Sequence, residues 1–287
     1  MTLKDKINAF KSKLTPIVGV REAYWMVRDI VEDVLGYGEV DILLKGDEEL
    51  SDFIIGKIEK IESRLYNGEP LQHVLGWARF AGNRFKVTQH TLIPRPETQE
   101  LVDMIIAHHG EAKDLRVIDV GTGSGCIAIS LARGLKFAQV RAIDISPQAL
   151  EVAEENARMH KVKVNFDCRD ALSLKANQGE CYDVIVSNPP YIVESERATM
   201  EKVVLDYEPS TALFVPDNDA LHFYRAIAHW GKDVLVSGGS IYFEINPLFA
   251  SEMVLMMQKE GYEEVVVIKD MQGRDRMLSA KYIQDRW

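Results

Sequence analysis

The sequence predicts an α/β fold, a doubly wound and mostly parallel sheet with an antiparallel edge strand, preceded by a small helical bundle and a hairpin linker. Three observations carry this expectation. From Leu115 onward, short β-branched runs alternate with helical patterns, an order that implies parallel strands joined by right-handed crossovers. Before Gly76 the apolar residues recur at spacings of three and four instead, as in amphipathic helices. The last two strand-like runs lie too close in sequence for a crossover and are expected to pair antiparallel at one edge.

Taken in order, Glu22–Leu35 and Leu50–Leu65 read as helices, with turns at Gly36, Gly38 and Gly46 and a stop at Asn67-Gly68-Glu69-Pro70. Phe80, Phe85, Val87 and Leu92 among polar residues predict a hairpin turning near Gly82-Asn83. In Ile93-Pro94-Arg95-Pro96-Glu97-Thr98, two prolines predict an extended strap, followed by a helix from Glu100 to His108. Strands are expected at Arg116–Val120, Val140–Ile145, Val162–Phe166 and Tyr182–Ser187, with helices at Cys126–Leu135 and Gln148–His160. Then follow a helix at Ala220–Trp230, short runs at Val234–Val236 and Ser240–Ile245 around Gly238-Gly239, and a helix at Pro247–Lys259. Glu264–Ile268 and Arg276–Ile283 are the expected edge pair, with Gly273-Arg274-Asp275-Arg276 as the turn before the last strand. The reading divides the chain into a helical domain (1–75), a hairpin and strap (76–98) and an α/β domain (99–287), with no internal repeat.

Composition narrows the function classes. A chain of 287 residues with 46% hydrophobic and 27% charged residues is ordinary for a globular protein. It has no apolar run near the ~20 residues of a membrane span and no signal-peptide pattern at Met1–Lys6, so a cytoplasmic protein without membrane contact is expected. Cys126, Cys168 and Cys181 have no metal-ligand spacing; they are expected as reduced thiols, and no metal is expected. His108-His109, at a helix end without further ligands nearby, is read as structural. A net charge of −10 argues against stable nucleic-acid binding, which needs Lys and Arg to neutralise phosphates.

The first chemical motif follows the strand ending in Val117-Ile118-Asp119-Val120. Gly121-Thr122-Gly123-Ser124-Gly125 then runs into the helix at Cys126. A strand, a glycine turn and a helix N-terminus aim backbone N–H groups at a ligand, and glycine admits positive φ or close approach. The dinucleotide fingerprint requires glycine at position 126, where this chain has Cys126. An acidic residue two positions before the first glycine suits an ammonium group better than a pyrophosphate. The pattern resembles motif I of Rossmann-like methyltransferases, which use S-adenosyl-L-methionine. Asp144, ending the next strand, is placed to accept from ribose hydroxyls, or else to cap the helix after it, although Ser146 is better placed as N-cap. Asp170, after the third strand, is a candidate for the adenine amino group, or a loop turn residue.

The second motif, Asn188-Pro189-Pro190-Tyr191, ends the strand Tyr182–Ser187. Ligands of open α/β sheets bind outside the carboxyl ends of the strands, so this tetrapeptide is expected beside the glycine loop. An amide nitrogen is a poor nucleophile because its lone pair is delocalised. Asn188 Oδ1 and the Pro189 carbonyl are suited to accept its two N–H groups and raise its electron density. Pro189 and Pro190 add no competing donors, and Tyr191 offers a ring for stacking. The bland reading is a proline-rich turn with Asn188 bonded locally. Arg95 and Glu97 are open between ligand contact and a salt-bridged strap; Glu244 is read as structural.

Together the strap LIPRPET (Leu92–Thr98), the loop DVGTGSGCIAISLA (Asp119–Ala132), AIDISPQAL (Ala142–Leu150), VSNPPYI (Val186–Ile192), YEPSTAL (Tyr207–Leu213) and LHFYR (Leu221–Arg225) resemble a known family. It is the protein-(glutamine-N5) methyltransferases that modify class 1 peptide chain release factors. The resemblance spans almost the whole chain. It implies cofactor contacts at Gly121–Gly125, Asp144 and Asn188, and substrate contacts at Asn188, Pro189, Pro190 and Tyr191. It implies that the acceptor is the glutamine of the Gly-Gly-Gln loop, with S-adenosyl-L-homocysteine as the second product, and that the helical domain docks the release factor. The alternatives are a nucleic-acid amino methyltransferase, acting on adenine N6 or guanine N2, and a non-catalytic cofactor-binding module. The first needs a phosphate-binding surface to hold a flipped base.

Overall fold

A computed structural model describes residues 1–284. The chain forms two compact units, Met1–Gly76 and a second from Trp77 onward. The first contains helices α1 (Leu3–Val18), α2 (Val20–Leu35), α3 (Glu39–Leu44), α4 (Asp52–Tyr66) and α5 (Leu71–Leu75). Thr2 caps α1 by accepting from the Asp5 N–H at 3.2 Å while the Thr2 N–H donates back to Asp5, a reciprocal box that satisfies two end groups. Leu3, Phe10 and Leu14 of α1 close on Val27 and Ile30 of α2 and on Ile58 of α4. Inside this core the Lys6 ammonium meets the Glu62 carboxylate at 3.0 Å, both nearly buried.

The second unit opens with the hairpin β1 (Trp77–Phe80) and β2 (Asn83–Lys86). Its turn is Ala81-Gly82, one residue earlier than expected, and both residues have positive φ, the geometry that suits a right-twisted two-residue hairpin. Helix α6 begins at Pro96, so the strap is extended only as far as Arg95. Proline's fixed φ and missing N–H fit the first helical position, and this outweighs the extended reading of its second proline.

Beyond α6 come β3 (Arg116–Val120), α7 (Cys126–Gly134), β4 (Gln139–Asp144), α8 (Pro147–Met159), β5 (Val164–Cys168) and β6 (Tyr182–Ser187). A two-strand parallel pair, β7 (Ile192–Val193) and β8 (Phe214–Val215), encloses the short helix α9 (Lys202–Tyr207); none of the three was expected. Then follow α10 (His222–Val234), β9 (Leu235–Glu244), α11 (Ala250–Lys259), β10 (Tyr262–Lys269) and β11 (Asp275–Tyr282). β9 is a single strand that runs through Gly238, at φ +83°, with a register shift against β6. The glycines expected to break it form a bulge instead.

Seven strands make one sheet in the order β10-β11-β9-β6-β3-β4-β5, parallel from β9 to β5 and antiparallel at β11 and β10. The expected doubly wound sheet with its antiparallel edge is present. Alternate residues of the central strands feed opposite layers, as the two-residue period dictates. Ile118, Ile185, Ile241 and Phe243 join Tyr224, Ile227 and Met253 on one face. Val117, Val184, Val186 and Tyr242 join Leu101, Ile105 and Leu131 on the other. The chain leaves β3 toward β4 on one side and returns through β6 on the other. The carboxyl ends of β3 and β6 therefore flank the switch point of the sheet. No described helix is long and apolar enough to cross a membrane.

Candidate active site

At that switch point lies a cavity of about 490 Å³, a size typical of small-molecule sites. It is walled by the strap (Leu92, Pro94, Thr98), the glycine loop from Gly121 to Ser124, and Asp144, Asp170, Asn188, Pro189 and Pro190. Pro209, Thr211, Phe214 and Phe223 also line it. Residues dispersed over the expected site thus converge on one space, with Asp119, Gly125 and Tyr191 immediately behind its wall.

Gly121, Gly123 and Gly125 all have positive φ. Beside Gly121 and Gly123 the space a Cβ would take is empty, so a ligand can approach the backbone closely. Gly125 differs: a Cβ there would stand 3.0 Å from Ile129 and 3.1 Å from Ala153, so its role is close packing of α7 on α8. The loop is held from two sides. Asp144 Oδ2 accepts from the Gly123 N–H at 2.8 Å and Oδ1 from the Ser146 N–H at 2.9 Å, and burial raises its pKa. Ser146, not Asp144, caps α8 through the Ala149 N–H.

The second anchor was not anticipated. Asn156 of α8, fully buried, donates to the Ser124 carbonyl at 2.8 Å and to the Lys86 carbonyl at 3.0 Å, and accepts from the Lys86 N–H at 2.7 Å. It staples the glycine loop to the hairpin. A buried polar position on the apolar stripe of a helix was the signal available for it. Asn156→Ala leaves three backbone groups unpaired at about 1–3 kcal/mol each before relaxation. The expected result is a loss of at least about 2 kcal/mol in urea unfolding together with weaker cofactor binding; wild-type stability would refute the staple.

Asp119 is wholly buried and does not line the cavity. Its Oδ2 accepts from Thr122 Oγ1 at 2.6 Å and from the Ala128 N–H at 3.3 Å, while Oδ1 and the nearby Ser124 Oγ have no partner among the described residues. Burial pushes its pKa up to about 7 from an ordinary 3.8. The native state therefore holds this proton more tightly than the unfolded chain, and stability linked to Asp119 is full below about pH 4 and lost as pH rises to about 7. The stability of Asp119→Asn relative to wild type is expected to climb across that window and level above it in urea unfolding at each pH. A pH-independent difference would refute the burial argument.

Asp170 lines the cavity while its Oδ1 accepts from the Leu172 N–H, capping a short turn. Ser187 Oγ donates to the Val120 carbonyl at 2.6 Å and ties the two motif-bearing strands together just before Asn188. Asn188 Nδ2 donates to Thr98 Oγ1 at 3.2 Å. Among the described residues, Asn188 Oδ1 and the Pro189 carbonyl make no hydrogen bond. The Tyr191 hydroxyl donates to Glu244 Oε1 at 3.1 Å, and its ring packs toward the sheet core rather than lining the cavity. Burial and the adjacent Glu244 carboxylate raise its pKa.

The charged strap residues resolve into ion pairs. The Arg95 guanidinium pairs with Glu208, which also accepts from the Ile93 N–H at 3.1 Å, and Glu97 pairs with Arg274 at 2.8 Å. His108 and His109 both hydrogen-bond with the Tyr242 hydroxyl.

Fold, glycine loop and switch-point cavity together define a Rossmann-like methyltransferase, and residues 111–272 match the family described as "Methyltransferase domain". Residues 9–76 match the "PrmC N-terminal domain". The chain is 47% identical over 248 residues to the release factor glutamine methyltransferase of Bacteroides thetaiotaomicron, covering 86% of this chain and 88% of that one. It is 39% identical to that of Flavobacterium psychrophilum, covering 98% and 100%. The chain belongs to the release factor glutamine methyltransferase family. In fold it is similar to a methyltransferase from Pyrococcus furiosus, with a TM-score of 0.53, 16% identity, and coverage of 79% of this chain and 100% of that one.

Proposed function

We propose that the chain methylates the side-chain amide nitrogen of the glutamine in the Gly-Gly-Gln motif of class 1 peptide chain release factors, using S-adenosyl-L-methionine. The observation that carries the reading is that Asn188 and Pro189 line the cavity next to the glycine loop, with the Asn188 Oδ1 and the Pro189 carbonyl unpartnered among the described residues.

The residues present fit the cofactor. Gly121 and Gly123 leave room for its backbone-contacting part, Asp144 borders the same space as an acceptor for ribose hydroxyls, and Asp170 lies on the cavity wall for the adenine amino group. Ser124, on the cavity wall with a hydroxyl that has no partner among the described residues, suits the ammonium end, while Asp119 lies behind the loop and shapes it through Thr122. Bound there, S-adenosyl-L-methionine supplies an electrophilic methyl group. The chain's own task is to present a weak nucleophile. Asn188 Oδ1 and the Pro189 carbonyl each accept one amide N–H, which raises the electron density on the nitrogen and holds the amide plane in one orientation. Pro189 and Pro190 fix the carbonyl direction and bring no N–H to compete. With Tyr191 held by Glu244, its part is to brace the tetrapeptide. No strong general base is required, since the nitrogen loses its proton after its charge has formed.

The N-terminal unit is the proposed docking surface for the release factor. Val40, Leu43 and Leu44 of α3 are largely exposed, and exposed apolar side chains grouped on one short helix favour a protein partner. The experiment is transfer of labelled methyl to a purified class 1 release factor, to its Gln→Ala loop variant, and to tRNA, rRNA and DNA. Label on the release factor that disappears in the variant supports the reading. Label on nucleic acid alone establishes an amino methyltransferase instead.

A further inference from the structure

The tetrapeptide's recognition of N–H groups depends on which end of the Asn188 carboxamide faces the cavity, and the two ends are nearly the same shape. Protein contacts must decide it. Thr98 Oγ1 donates its single proton to Glu244 Oε2 at 2.6 Å. That hydroxyl is then left with lone pairs only, so it can accept from Asn188 Nδ2 but cannot donate to Asn188 Oδ1. The reversed carboxamide would set two oxygens against each other at 3.2 Å. Glu244 accepts through its other oxygen from the Tyr191 hydroxyl at 3.1 Å, so two hydroxyl protons converge on its two carboxyl oxygens.

We infer that Thr98 and Glu244 are positioning residues that lock Asn188 with its oxygen toward the cavity, and so select an acceptor that donates N–H. The inference rests on the catalytic role proposed for Asn188.

The fold explains why these groups meet. β6 and β9 are adjacent and parallel, with Ser187 opposite Phe243, so Asn188 and Glu244 leave neighbouring strand ends together. Thr98 comes from the first turn of α6, anchored by the Arg95–Glu208 and Glu97–Arg274 pairs on either side. Thr98 and Glu244 are both nearly inaccessible to water, so water does not scramble the direction of donation. Burial raises the pKa of Glu244, and the Thr98 and Tyr191 hydroxyls and the Arg276 charge hold that rise in check.

The test uses near-isosteric changes in the full chain. In Glu244→Gln the new amide donates to Thr98, whose proton turns toward Asn188 and lets its carboxamide reverse. Single-turnover methyl transfer to the release factor is expected to slow by about 10²-fold, with unchanged affinity for S-adenosyl-L-homocysteine. Thr98→Val is expected to match it, and Thr98→Ser, which keeps the hydroxyl, to restore most of the rate. Added to Asn188→Ala, Glu244→Gln is expected to cause no further loss, because the two act through one group. Multiplying losses, a Thr98→Val enzyme at wild-type rate, or a Thr98→Ser enzyme as slow as Thr98→Val overturns the inference while leaving the role of Asn188 intact. A normal rate in Asn188→Ala alone overturns both.

Discussion

Asn188→Ala is expected to lower single-turnover methyl transfer by about 10²–10³-fold, the usual cost of removing one positioned polar group at a reacting centre. The affinity for S-adenosyl-L-homocysteine is expected to stay within several-fold of wild type. The split follows from the geometry. Asn188 lines the cavity and its carboxamide oxygen has no partner among the described residues, while the glycine loop is held by Asp144 and Asn156 without its help. Loss of turnover without loss of cofactor binding is therefore the signature of an acceptor-gripping group. A variant that turns over at near the normal rate removes the side chain from the mechanism, and one that mainly loses cofactor affinity moves it to the other half of the site.

Asp144→Ala is expected to act in the opposite sense, weakening cofactor binding by about 10²-fold or more in calorimetry. Two effects combine. A carboxylate available to ribose hydroxyls disappears, and hydrogen bonds to a charged group count for about 1.5–3 kcal/mol each. The Gly123 N–H also loses the 2.8 Å partner that shapes the loop. Asp144→Asn keeps the size and one acceptor oxygen, so it is expected to fall between wild type and Asp144→Ala. Unchanged affinity in Asp144→Ala would exclude this carboxylate from the cofactor site. Disruption of the fold, by contrast, would appear as a lower unfolding midpoint without ligand.

Much of this was legible along the chain because the governing interactions are local or periodic. The strand–helix alternation after Leu115 led to the parallel sheet, and the edge pair followed from the short link between β10 and β11. Gly121-Thr122-Gly123-Ser124-Gly125 and Asn188-Pro189-Pro190-Tyr191 each carry their geometry in adjacent residues. What the patterns misread were positions with two competing local meanings. Pro96 suits both an extended strap and the first turn of a helix. Gly238 and Gly239 suit both a break and a bulge in one long strand. Tyr191 was expected to offer its ring to the acceptor, but its hydroxyl is drawn to Glu244, a residue far along the chain.

The fold class, the two motifs that meet at the switch point and the family are all readable along the chain, since each is written in short stretches with a fixed backbone consequence. The chain of hydroxyls and carboxylate behind Asn188, the Asn156 staple and the ion pairs that hold the strap emerge only once the chain is folded. Thr98 lies 90 residues from Asn188 and 146 from Glu244. Hydrogen bonds are set by where strand and helix ends come to rest in space. No spacing along the chain encodes the direction in which a buried threonine gives up its single proton.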